Sequence, residues 1–206
     1  MNTPSHAIVN LSCFSVLAAT HHNSLGLAIA FGAVLPDLPI FGMYFWAKWI
    51  KRQPEREIWG ITYELPLWQN LVAAFHSIPL AMIGATIAYW AGASVIGICL
   101  ISAVLHSLFD LPVHNSDAHR HFYPFSNYRF ISPLSYWDPK HYGLQVSIVE
   151  RCLVLALCGY LWPGADTAIA RGILIIVVLL YLASLVISWR WWQKRRQKKP
   201  LDRLNQ

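Results

Sequence analysis

Apolar residues run in long blocks along this chain, and the polar positions gather between the blocks. Trp68 to Trp90 carries no formal charge and is bounded by tryptophans, residues that anchor helices at a membrane interface. It is long enough for the ~20 residues a helix needs to cross a bilayer. Ser94 to Val113, Leu144 to Trp162 and Gly172 to Ser188 are further blocks of similar character. The pattern therefore predicts an all-α polytopic membrane bundle with four transmembrane helices and an N-terminal helical hairpin.

The hairpin is less simple. Thr3 is placed as an N-cap with Pro4 at the first helical position, and the helix is expected to run to about Thr20. His21-His22-Asn23-Ser24 then reads as a tight connection. A second apolar segment, Leu25 to Leu35, ends in Pro36-Asp37-Leu38-Pro39. The first helix is marginal for a crossing and the second is short. The hairpin is thus either re-entrant or interfacial, or its second arm continues through a kink to about Trp49.

Composition agrees with a membrane location. Of 206 residues, 56% are hydrophobic and only 13% charged, with a mean hydropathy of +0.41. The net charge of +6 is unevenly spread. Arg190, Lys194, Arg195, Arg196, Lys198, Lys199 and Arg203 crowd the C-terminal stretch directly after an apolar block. That placement fits a cytoplasmic anchor facing anionic headgroups better than a nucleic-acid surface, so no nucleic-acid partner is expected. The expected organisation is one membrane domain, 1–189, and a basic cytoplasmic tail, 190–206.

Counting back from the tail through four crossings places His114–Gly143 and Lys48–Leu65 on the cytoplasmic side. Those loops hold Lys48, Lys51, Arg52, Arg56, Arg120, Arg129 and Lys140, whereas the opposite loops hold only Arg171. MNTPSHAIVN has no basic leading region, so no cleaved signal is expected. Cys13, Cys99, Cys152 and Cys158 lie in apolar segments without CxxC spacing and read as small buried hydrophobes.

Chemistry concentrates in AVLHSLFDLPVHNSDAHRH, from Ala103 to His121. His106 and Asp110 are four residues apart and leave one face of a helix together. Imidazole and carboxylate at this density are ligand types for zinc, manganese or iron. A carboxylate at the end of an apolar helix is also costly unless partnered. His76 lies within a crossing segment, where packing and ligation are both open; Pro79 nearby frees backbone carbonyls that could bond it. Asp37 stands between two prolines, where it either caps the next helix or joins the other acids and histidines. His6 reads as an exposed terminal histidine unless it meets the same cluster.

His114, Asp117, His119 and His121 cannot all bind one ion, because a catalytic zinc takes about three protein ligands and keeps an open position. His114 is assigned as a ligand, and Asp117 and His119 as acid-base candidates. Arg120 suits an anionic group such as phosphate. The competing reading of this loop is a solvated polar turn. Its aromatic residues (Tyr123, Phe125, Tyr128, Phe130, Tyr136, Trp137) fit headgroup level or the roof of a lipid-lined pocket.

Several of these stretches resemble a known family. An early histidine, then GAVLPDL (32–38), a mid-helix His76-Ser77, LHSLFD (105–110) and a His-rich loop ending in YPFS (123–126) look like YdjM-type inner-membrane proteins, described as metal-dependent hydrolases. The motif order also resembles the zinc-dependent phospholipase C and P1 nuclease group. The resemblance covers residues 1–143 and implies metal ligation by His6, Asp37, His76, His106 and Asp110, with His114 and His119 less securely placed. It departs at NLVAAFHS (70–77), where the family has an upstream histidine and arginine.

Together these readings give an expected membrane-bound, metal-dependent hydrolase. It would use a divalent ion, zinc first, on an ester or phosphoester of an amphiphilic substrate at the cytoplasmic boundary of a bacterial inner membrane. The expected partners are membrane lipid and a small-molecule or lipid substrate. The absence of G-x-S-x-G and H-E-x-x-H argues against a serine esterase and a zincin. The alternative is a non-catalytic metal-binding membrane protein: a transport component, sensor or assembly factor.

Overall fold

The computed structural model describes residues 1–15 and 23–204, with only the backbone described at 23–24 and 189–204. All regular structure among the described residues is helical. The main elements are α1 (Thr3–Cys13), α2 (Asn23–Val34), α3 (Leu38–Phe45), α4 (Pro66–Phe75), α5 (Ile78–Trp90), α6 (Ser94–Asp110), α7 (Gly143–Leu161) and α8 (Ala168–Leu204). Four continuous spans are long and apolar enough to cross a membrane: Leu25–Ile50, Ser94–Val113, Gly143–Gly164 and Ala168–Ser188. The chain is a helical membrane protein.

Three of these spans follow the apolar blocks of the sequence. Leu25–Ile50 is the kinked continuation left open above. α2 passes through a 3-10 turn at Leu35–Asp37 into α3, and α3 ends in a π-helical turn at Trp46–Ile50. Pro36 and Pro39 occupy the first turns of the 3-10 and α3 segments, where a missing N–H costs least.

Trp68–Trp90 differs from the expected straight crossing. It is divided between α4 and α5, which meet at a 49° bend. Ser77 is the cause: its hydroxyl caps α5 by accepting from the Leu80 N–H at 3.2 Å, and Pro79 sits in the first turn of that helix. The pair is either one broken span or a re-entrant loop.

The N-terminus also needs correction. Thr3 is the first helical residue, Asn2 is the N-cap, and the Thr3 hydroxyl donates to the Asp37 carboxylate instead. α1 ends at Cys13; the expected extension to Thr20 and the His21-His22 part of the connection lie outside the described residues, and Asn23 already belongs to α2. Of the cysteines, only Cys158 is buried, while Cys13 and Cys152 are exposed.

The chain divides into two compact units, Met1–Val146 and Ser147–Gln206. In the first, α6 packs against both α2 and α5, and α1 lies against α2 and α6. Polar side chains join these helices. Asn10 donates to the Ser102 carbonyl and hydroxyl, each at 2.8 Å, and the Ser102 hydroxyl donates to the Ile29 carbonyl at 2.6 Å. Such bonds link helices where no water competes for them. Gly32 lets α2 approach α6 closely, since a Cβ there would lie 2.0 Å from the Cys99 carbonyl oxygen. In the second unit, the Arg151 guanidinium donates to the Ser188 hydroxyl at 2.9 Å. The expected boundary at residue 190 falls inside α8, which runs unbroken to Leu204.

Candidate metal centre

The first unit brings its histidines and acids to one place. α6 supplies His106 and Asp110 from one buried face, as their spacing predicts. Asp37 comes from the 3-10 turn between α2 and α3, His6 from α1, and His76 from the break between α4 and α5. His114, His119 and His121 come from the following loop, which is pinned at several points. The Ser132 N–H donates to the His114 carbonyl at 3.0 Å, the Tyr136 N–H to the Val113 carbonyl at 3.0 Å, and the Ile78 N–H to the His121 carbonyl at 2.9 Å. The Ser77 hydroxyl donates to the Tyr123 carbonyl. The helix break at Ser77 therefore supplies the donors that hold the histidine loop.

Asp110 is the hub. Its Oδ1 lies 2.9 Å from His6 Nε2 and 3.1 Å from His114 Nε2, and the Met1 amino group is 2.8 Å away. Its Oδ2 lies 3.1 Å from His106 Nε2 and 3.8 Å from His76 Nε2. Asp37 Oδ1 faces the same two rings, 3.7 Å from His76 Nε2 and 3.8 Å from His106 Nε2. The side chains of His6, His76 and His106 have no exposed surface.

Hydrogen bonding fixes one proton on each of two rings. His76 Nδ1 is 2.9 Å from the Val72 carbonyl, and His106 Nδ1 is 2.7 Å from the Ala33 carbonyl. A carbonyl only accepts, so each Nδ1 carries the proton, and in a neutral ring each Nε2 presents a lone pair. Both Nε2 atoms are buried without a hydrogen-bond partner. They face carboxylate oxygens, which are also acceptors. Neutral rings facing carboxylates in this way could hold a metal ion, and an Nδ1–H···O=C contact is the usual outer support of a metal-bound histidine.

Three overlapping triads have ligand atoms within 4.8 Å of one another: His6, His106 and Asp110; Asp37, His76 and His106; and His76, Asp110 and His119. These buried clusters could hold a metal ion. The first and third triads share only Asp110. The second shares a single imidazole nitrogen with each of the others and so cannot fill beside either. The two triads that share only Asp110 would therefore be the pair able to fill together, with Asp37 beside His76 and His106.

The loop residues take distinct places. His119 stands 4.2 Å from the His76 ring, centroid to centroid, and offers a ligand atom in the third triad. His114 Nδ1 lies 2.9 Å from Asp117 Oδ2, which also accepts from Trp137 Nε1 at 2.9 Å. Burial would lower the His114 imidazole, but the Asp110 and Asp117 carboxylates override it and push it up to about 9. Burial would raise Asp117, yet the His114 contact holds it below the usual carboxylate range. His119 is held well below the ordinary imidazole value by burial and by neighbouring His76 and His114. Burial, followed by His76, lowers His121 to about 4.

Arg120 is not with these groups. Its guanidinium donates to the Gln69 carbonyl and the Asn70 side chain, each at 2.8 Å, and to Asn127 at 3.1 Å. Three contributors were not assigned from the sequence. Thr3 was read as a cap, but its hydroxyl supports Asp37. Ser107 donates to the His76 carbonyl at 2.9 Å. His121, counted in the cluster without a role, places Nδ1 3.4 Å from that same carbonyl. A serine one position after His106 and a histidine two positions after His119 are the only sequence signals for the last two.

The fold and site define a helical membrane protein with a buried histidine-aspartate cluster able to hold metal. No family model, curated protein or solved structure matches the chain.

Proposed function

We propose that this chain is a membrane-bound, metal-dependent hydrolase acting on an ester or phosphoester of an amphiphilic substrate. One observation carries the reading: the unpartnered Nε2 atoms of His76 and His106 face the Asp37 and Asp110 carboxylates, with both Nδ1 atoms anchored to backbone carbonyls. Zinc suits this mixture of neutral imidazole and carboxylate. When bound, a divalent ion supplies a water of lowered pKa and polarises the scissile oxygen.

The chain's own residues supply the rest. Asp110 brings the two halves of the donor set together, and Asp37, steadied by Thr3, closes one side. His114 lies between Asp110 and Asp117 and would carry a proton along that line. Asp37 and Asp117 keep 13% and 23% of their side-chain surface, so a substrate would approach along those edges while the histidines stay covered. The resemblance to YdjM-type proteins and the basic C-terminal tail support an inner-membrane location with that tail in the cytoplasm.

The test uses full-length protein purified in detergent, with bound metal measured by elemental analysis. Hydrolysis is followed on short-chain phospholipids, phosphomonoesters and carboxylic esters. Chelator-sensitive turnover restored by zinc or manganese, and abolished in Asp110→Asn, is the expected outcome. Bound metal with no turnover across the panel would favour the non-catalytic reading instead. No bound metal in wild-type protein after zinc loading would overturn both.

A further inference from the structure

An open groove of about 470 Å³ is lined by Glu64, Gln69, Asn70, Arg120, Asn127 and Arg129. His119 and His121 are buried beside His76, whereas Arg120, between them, reaches α4 and Asn127. The groove is thus separate from the metal centre although one short segment serves both.

Two guanidinium groups meet here, and all their side-chain hydrogen bonds among the described residues go to neutral acceptors. Arg120 makes the three bonds already given, and Arg129 donates to the Ala118 carbonyl and to Gln69 Oε1, each at 3.1 Å. A guanidinium has five N–H donors. Arg120 retains two and Arg129 three after these bonds. Within the described residues neither has a carboxylate at ion-pair distance; the one acid lining the groove is Glu64. The bonds hold both groups in place, and Arg120 is also seated over the Tyr123 ring at 5.2 Å. Two fixed, charged forks with unused donors match the oxygens of a phosphate group.

We infer that this groove is a binding site for a phosphate-type oxyanion, held jointly by Arg120 and Arg129. The inference does not depend on the metal centre being catalytic. The ligand's phosphate is carried either on a lipid headgroup or by a free ion, and the two sources are separable.

The test is calorimetric titration of the full chain in dodecyl maltoside micelles, which carry no phosphate, with inorganic phosphate in one arm and dihexanoyl phosphatidic acid in the other. Saturable binding in either arm is expected, weakened roughly 10-fold or more by Arg120→Gln combined with Arg129→Gln. Lipid-only binding assigns the groove to a headgroup, and binding of both probes assigns it to phosphate as such. Because the double variant could perturb the loop, Glu64→Gln supplies a second reading: both arginines and all their acceptors remain, and binding tightens. The inference is overturned if neither probe binds. It is also overturned if the double variant binds as wild type does, or if the double variant is misfolded and Glu64→Gln leaves affinity unchanged.

Discussion

His106 Nε2 lies 3.1 Å from Asp110 Oδ2 without a hydrogen bond, while Nδ1 of the same ring is fixed on the Ala33 carbonyl one helix away. A neutral ring with its proton on Nδ1 has none on Nε2 to offer the carboxylate. A metal ion held between the two groups would supply the missing positive charge. Wild-type protein is expected to bind about two ions per chain, because the donors exceed the roughly three protein ligands of one catalytic zinc. Asp110→Asn, nearly the same size, should lose both ions, whereas His6→Ala should lose one. Elemental analysis of zinc-loaded protein after desalting reads these counts directly.

Thr3 offers a test of the outer support. Its hydroxyl donates to Asp37, and Asp37 faces the two histidine lone pairs. Thr3→Val keeps the shape and removes the donor. Loss of such a partner typically weakens metal affinity by about 10- to 100-fold. Competition with a zinc chelator should show this shift while the number of ions at saturating zinc stays unchanged.

How much of this was legible in the sequence follows from the physics of each part. The α6 face was readable because His106 and Asp110 obey helical spacing inside an apolar block. The helical membrane class was readable from block length. The break at Ser77 was harder. A serine followed two residues later by proline is a helix start, but inside a charge-free run its cap is outweighed by hydropathy. The convergence of His6, Asp37 and His76 on α6 was reached through resemblance and not through periodicity, since it depends on contacts across as many as 104 residues. Arg120 shows the limit most plainly. Sequence adjacency put it with His119, but alternate residues of the segment turn to different sides.

Ser107 should matter for stability more than for metal. It is buried and donates to the His76 carbonyl at 2.9 Å. Ser107→Ala removes that donor and is expected to cost about 1 kcal/mol. The zinc count should hold, because no ligand atom is lost. A lowered thermal midpoint with full metal content is the result to look for.

The α2–α6 contact gives a prediction about packing. A Cβ at Gly32 would sit 2.0 Å from the Cys99 carbonyl oxygen, a backbone atom that moves only with the helix. Gly32→Ala should therefore cost at least about 1–3 kcal/mol, the usual range for overpacking a tight interface. Gly26→Ala on the same helix meets nothing within 4 Å and should stay within about 0.5 kcal/mol of wild type. Equal effects of the two substitutions on the thermal midpoint would contradict the close approach.

His119 and Arg120 are adjacent in the chain but serve different sides of the loop, and their variants should separate cleanly. His119 is a member of one ligand triad, so His119→Ala removes a donor from that side only. The expected result is a drop from about two ions to about one, because a site left with two protein donors falls below the usual three. Arg120 makes its bonds with Gln69, Asn70 and Asn127, none of them near a ligand atom of the triads by any contact described above. Arg120→Ala should keep the full metal count. Loss of metal in Arg120→Ala at an unchanged thermal midpoint would show that the guanidinium supports the centre after all. An unchanged count of about two ions in His119→Ala would show that the second ion does not need His119.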